Sequence, residues 1–207
     1  MKRRVLGISL IVALVAILAV GATLAYFTDS TGVVKNTFTM GNVEIKLDEK
    51  DNTKTDGSRT ETGNAYTGVT PGVPVEKDPT VWNTGDNDAW VRVNVTVSKA
   101  AAWKTALTKH EITDLAAIFG GHDETKWTRA GITESGDTIT YSYYYNTVVA
   151  AQTGSTGALF NTVTVPAAFD NDDVTSIEGF ELTITADAIQ TDATFTTAAQ
   201  AFAAFDA

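Results

Sequence analysis

The chain has 207 residues, 25 acidic against 15 basic, a net charge of −10 and no cysteine. The missing cysteines exclude disulfides, thiolate metal sites and cysteine nucleophiles, so the fold must rest on its core. The acidic balance disfavours nucleic acid and anionic membrane surfaces, because every approach to a phosphate is repulsive.

Met1-Lys2-Arg3-Arg4 opens the chain, and no charge occurs between Val5 and Ala25. A basic start, an apolar core and a small-residue exit make a secretory signal peptide. Thr23 and Ala25 stand at −3 and −1, so cleavage is expected between Ala25 and Tyr26. An uncleaved anchor is the alternative, since the same 21 residues are long enough to span a bilayer. Removing residues 1–25 takes away three basic and no acidic residues, which leaves a net charge of −13. Residues 26–207 are then read as one exported domain.

Asn36–Leu47 alternates apolar and polar residues with the period of a half-buried strand. Phe38 and Met40 are even, while Val43, Ile45 and Leu47 are odd, so a common face requires a bulge at Gly41-Asn42 or a strand that changes sheets there. The 17 residues from Asp48 to Asn64 hold no apolar side chain and predict a polar mobile loop at 48–64. Pro71-Gly72 leads toward Thr80-Val81-Trp82-Asn83, and Thr84–Asp88 reads as a turn.

Trp90–Ser98 is the clearest strand, with Val91, Val93, Val95 and Val97 toward the core. Helical spacing follows over Lys99–His110 and is expected to continue through Ile112, Leu115, Ile118 and Phe119 to Gly120-Gly121. Lys126–Thr133 and Thr138–Asn146 predict a hairpin around 134–137. Ala158–Val165 and Phe180–Ala186 are further strands, and Ala198, Ala201, Phe202 and Phe205 make a helical stripe. The sum is an all-β, jelly-roll-like antiparallel sandwich with one or two short helices in its connections, preceded by the signal helix.

This succession resembles the TasA/camelysin family of secreted bacterial biofilm-matrix proteins. The matching pieces are Gly21–Ser30, Thr37–Ile45, Pro71-Gly72 with Lys77–Gly85, Ala89–Val93, and Thr183–Gln190. Trp103 to Asp173 is supported by pattern alone. The resemblance implies a jelly-roll subunit of extracellular fibres, processed by a SipW-type signal peptidase and located in the matrix or at the cell surface. It implies partners in other copies of itself and in further matrix proteins, with no cofactor and membrane contact only through the signal peptide. The segment carrying Phe38, Met40, Val43, Ile45 and Leu47 would then be a donor strand completing the next subunit's sheet. Burying those five side chains is worth about 10 kcal/mol gross, and the same strand can equally pair within its own subunit.

Three other chemistries have candidate residues in the chain. A camelysin-like metallopeptidase needs paired imidazoles at helical spacing, whereas His110 and His122 are 12 residues apart and read as surface residues. Asp170, Asp172 and Glu181 fit EF-hand positions 1, 3 and 12, but Val174 and Thr175 stand where a ligand and a glycine belong. They are weak calcium candidates in an acidic loop. A carbohydrate-binding adhesin would use exposed rings: Trp82, Trp90, Trp127 and the tyrosines 141, 143, 144 and 145 are the supply. Tyr141, Tyr143 and Tyr145 share a face expected to be core, which leaves Tyr144 as the exposed candidate.

Overall fold

In the computed structural model, residues 42–207 are described. The alternating valines set the architecture. β5 (Ala89–Ser98) places Val91, Val93, Val95 and Val97 inward, each almost fully buried, while Arg92, Asn94 and Thr96 face the other way. It sits at the centre of a four-stranded antiparallel sheet in the order β11-β5-β8-β7, with β7 at Trp127–Ser135, β8 at Thr138–Tyr145 and β11 at Leu182–Gln190. β7 and β8 are the hairpin expected from the sequence, closed over Ser135↔Thr138.

A second four-stranded sheet, β2-β1-β4-β9, is built from β1 (Ile45–Lys50), β2 (Arg59–Thr60), β4 (Thr80–Asn83) and β9 (Ser155–Ala158). A third, β3-β10-β6, holds three two-residue strands: β3 (Val75–Glu76), β6 (Phe119–Gly120) and β10 (Thr162–Val163). One core joins the layers: the β5 valines, Val81, Trp103, Trp127, Tyr141, Leu159 and Phe160 are buried together. Residues 42–207 belong to one compact unit, an all-β sandwich with short helices in its connections.

Several expectations change at the boundaries. The helix over 99–119 stops early, as α1 (Ala100–Lys109), with Trp103, Ala106 and Leu107 on its buried face. Glu111 takes φ 58°, its N–H bonds Thr108 O at 3.2 Å, and Ile112 N–H bonds Leu107 O at 2.9 Å. That is a Schellman closure with glutamate where glycine usually sits, so the ordinary stop signal is missing. A short 3-10 helix, Leu115–Ile118, follows, capped by Asp114. The strand expected over 158–165 divides into β9 and β10, with Leu159 and Phe160 turned into the core between them.

The loop expected at 48–64 also changes. Asp48–Lys50 extend β1, and Arg59–Thr60 fold back to pair with Glu49 and Lys50. Polar contacts replace the apolar packing that the segment lacks. Asn64 Nδ2 donates to Glu49 Oε1 at 2.9 Å and Asn52 N–H to Asn64 Oδ1 at 2.9 Å.

Two further features govern what the sheets expose. α3 (Ala198–Phe205) lies across the outer face of β5 and β8, where Trp90, Ala198, Ala201 and Phe202 form a second small core. Edge strand β7 is exposed from Thr128 to Ser135, but Arg129 pairs with Asp114 and Glu134 with Lys104. Both strand positions lie opposite buried residues of β8, Tyr143 and Ile139. Charges held on the inward side of an edge, with a register shift between Arg129 and Gly131, discourage edge-to-edge pairing.

Candidate functional site

β1 carries the residues of greatest functional interest, and its two faces differ. Opposite β4 the register is Ile45↔Asn83, Lys46↔Trp82, Leu47↔Val81 and Asp48↔Thr80. Ile45 and Leu47 therefore share the face of Val81 and pack on the main core, in the phase that the alternation predicts. Both remain only partly buried. Val43, before the strand, is partly buried too. Phe38 and Met40 lie outside the described residues, as do Thr23, Ala25, Tyr26, the signal segment and the Gly41 half of the expected bulge.

β1 also approaches a strand of the other four-stranded sheet. β1 runs beside β11 without pairing to it, since the two strands belong to different sheets. Along β11, Leu182, Ile184, Ala186 and Ala188 face the core yet are also only partly buried. These six apolar side chains of two neighbouring strands pack on the core while staying partly exposed. The lead into β1 is anchored by Gly85: Thr84 and Gly85 donate to Glu44 O at 2.9 and 3.0 Å.

The opposite face of β1 is polar and tightly bonded. Asp48 is 5% exposed; it accepts from Arg59 Nε at 2.6 Å and from Trp82 Nε1 at 2.9 Å, with Lys46 Nζ at 3.4 Å. Arg59 reaches on to Asp78 Oδ2 at 2.7 Å. At the end of the strand Glu49 and Lys77 form a buried ion pair. None of these bonds is visible as a motif, because the partners come from β1, β2 and the segment before β4.

Trp82 stands on this outer face between Lys46 of β1 and Ser155 of β9. Beside it opens a groove of about 320 Å³ lined by Lys46, Asp48, Trp82, Asn83, Thr84 and the 152–154 turn. Gln152 holds a left-handed backbone, φ 64°, and its N–H bonds Gly85 O at 2.9 Å. Gly154 packs so closely on Ala150 that a Cβ would fall 2.4 Å from a backbone oxygen.

The histidines do not meet. His110 Nε2 bonds Asp173 Oδ2 at 2.7 Å and its ring stacks on Phe169 at 5.4 Å. His122 bonds Leu159 O through Nδ1 at 3.0 Å and leans on Tyr143. Both are partly buried structural residues rather than the surface residues expected.

The calcium candidates are likewise drawn into structure. Asp170 caps α2 (Asn171–Ile177), accepting from Asp172 and Asp173 N–H at 3.1 Å, and pairs with Lys109 at 2.6 Å. Asp172 lies exposed on α2 and Glu181 precedes β11. Among the described residues no group of three or more acidic or imidazole side chains is placed to hold a metal. The acidic loop expected here is instead the start of a helix, where Asp170 and Asp173 form a capping box that satisfies helix N–H groups.

The aromatic expectation divides. Tyr141 and Tyr143 are buried as expected and Tyr145 partly so. Tyr144, expected to be exposed, is instead stacked on Phe202 of α3 at 5.6 Å and 12°. Trp90 and Trp127 are buried as well, and Trp82 is the tryptophan that borders solvent. No protein-family model, curated protein or solved structure matches the chain. Among the described residues no helix is long and apolar enough to cross a membrane.

Proposed function

We propose that this chain is a secreted structural protein of the TasA/camelysin type, a subunit of extracellular matrix fibres joined by strand exchange near its N-terminus. The observation that carries this reading is the partial burial, among the described residues, of apolar side chains on the neighbouring strands β1 and β11. Ile45, Leu47, Leu182, Ile184, Ala186 and Ala188 leave apolar surface partly open there, and the alternating segment with Phe38 and Met40 stands directly before β1. A strand from a neighbouring molecule would cover that surface and pair along β11, the edge of its sheet among the described residues. Such a head-to-tail contact does not close on itself, so it propagates as a filament.

The family resemblance supplies the jelly-roll topology, the SipW-type processing near Ala25 and the matrix location. Other copies of the chain are the first partners of this reading, with further matrix proteins beside them. Structural work without catalysis agrees with two histidines committed to separate hydrogen bonds.

Electron microscopy of three proteins tests the reading: one starting at Tyr26, one starting at Asn42, and one starting at Tyr26 with Phe38→Ser and Met40→Ser. Starting at Asn42 leaves β1 in place, whereas a start after Leu47 would remove a strand that pairs with β4. Filaments from the first alone, with equal circular dichroism for all three, are expected. Filaments from all three would overturn strand exchange, and filaments from none would overturn the fibre reading.

A further inference from the structure

The Trp82 groove has a composition that packing does not explain. Val81 and Asn83 point to the core side of β4, so Trp82 occupies the face that has no core to fill. A large indole on that face is an apolar plane set among polar groups. Its ring is fixed from one end, since Nε1–H donates to the buried Asp48 carboxylate. That carboxylate is fixed in turn by Arg59.

Around the ring stand hydrogen-bonding groups of both kinds. Lys46 Nζ offers donors from β1, with 41% of its side chain exposed. Thr84 and Thr153 offer hydroxyls, and Gln152 an amide that bonds no other side chain among the described residues. The turn that presents Gln152 is held in a costly left-handed conformation and is pinned to Gly85 and Ala150. Such local strain persists only where the surroundings over-determine it, and it clusters at binding sites.

We propose that this groove is a saccharide-binding site that takes a neutral pyranose ring of a polysaccharide. One face of a pyranose presents C–H groups and stacks on an indole, while its rim presents hydroxyls that both donate and accept. An aromatic plane ringed by an amide, two hydroxyls and an ammonium matches that pattern. A volume of about 320 Å³ suits one such unit. Neutral rather than acidic sugars fit, because the ion pairs that reach the groove through Lys46 and Asp48 hold three carboxylates, Asp48, Asp78 and Glu61, against two cations, Lys46 and Arg59, and the whole chain is acidic. The groove lies on the face of β1 opposite Ile45 and Leu47, so binding here and assembly along β1 and β11 are separable.

The test is titration of the full-length mature protein with cellohexaose, chitohexaose and oligogalacturonate, read by tryptophan fluorescence and calorimetry. Saturable binding to a neutral oligosaccharide is expected, with at least a roughly tenfold loss on Gln152→Gly with Thr153→Ala. Glycine keeps the left-handed turn while removing the amide. Trp82→Ala is expected to abolish binding. Because it also removes the indole bonded to Asp48, the rim variant, with circular dichroism unchanged, carries the decision. Binding that survives the rim changes at full strength, binding to oligogalacturonate alone, or no saturable binding would each overturn the proposal. Filament formation by the rim variant is expected to be unchanged, which separates this outcome from that of the fibre reading.

Discussion

Arg59 donates from Nε to Asp48 Oδ1 at 2.6 Å, clamping a two-residue strand onto β1 through a carboxylate whose side chain is 4% exposed. The same guanidinium carries on to Asp78. A segment with no apolar side chain is thereby folded by charge and hydrogen bonding.

Removing one member of this cluster should leave another charged and buried. Lys77→Met strands Glu49 and is expected to destabilise the protein by about 3 kcal/mol. Arg59→Met should cost less, about 2 kcal/mol, because Asp48 keeps Trp82 and Lys46 and Arg59 itself is partly solvated. Urea unfolding followed by fluorescence measures both.

Acid should weaken the contact between α1 and α2. The His110 ring, foremost, with the Asp170 N–H and Lys109, holds the Asp173 carboxyl well below its ordinary value of 3.8. A lowered folded-state value means that Asp173 stabilises the fold above its unfolded value and stops doing so as pH falls through the folded one. Thermal melts of the wild type and Asp173→Asn should differ at pH 7 and converge as the pH drops below about 4.

The C-terminal helix offers a graded comparison. Phe202 is fully buried, stacked on Tyr144 and beneath the Arg92 guanidinium at 4.6 Å, whereas Phe205 is 66% exposed. Phe202→Ala should cost about 3–5 kcal/mol, and Phe205→Ala within about 0.5 kcal/mol. Denaturant midpoints of the two variants decide it. In the first, near-ultraviolet dichroism should also report the freed Tyr144 and Trp90.

Gly85 governs how β1 is entered. A Cβ there would fall 2.5 Å from Glu44 N and 2.7 Å from Asn42 O, both backbone atoms that cannot step aside without moving the chain. Gly85→Ala should abolish the hydrogen-exchange protection of the Thr84 and residue-85 amides while leaving β5 amides protected.

What was legible in the sequence was whatever a local period encodes. The β5 valines, the β7–β8 hairpin, the inward phase of Ile45 and Leu47 and the α3 stripe of Ala198, Ala201 and Phe202, though not Phe205, each follow from side chains alternating every two residues or recurring every three to four. Those spacings declare a face whatever the rest of the chain does. Tertiary structure alone decided the partners. It put Asp48 with Arg59 and Trp82, tied Asp173 to His110 and Lys109, covered Tyr144 with α3, and left Trp82 beside an open groove. Each of these joins residues far apart in the chain, and an isolated polar or aromatic side chain carries no mark of which distant group will meet it.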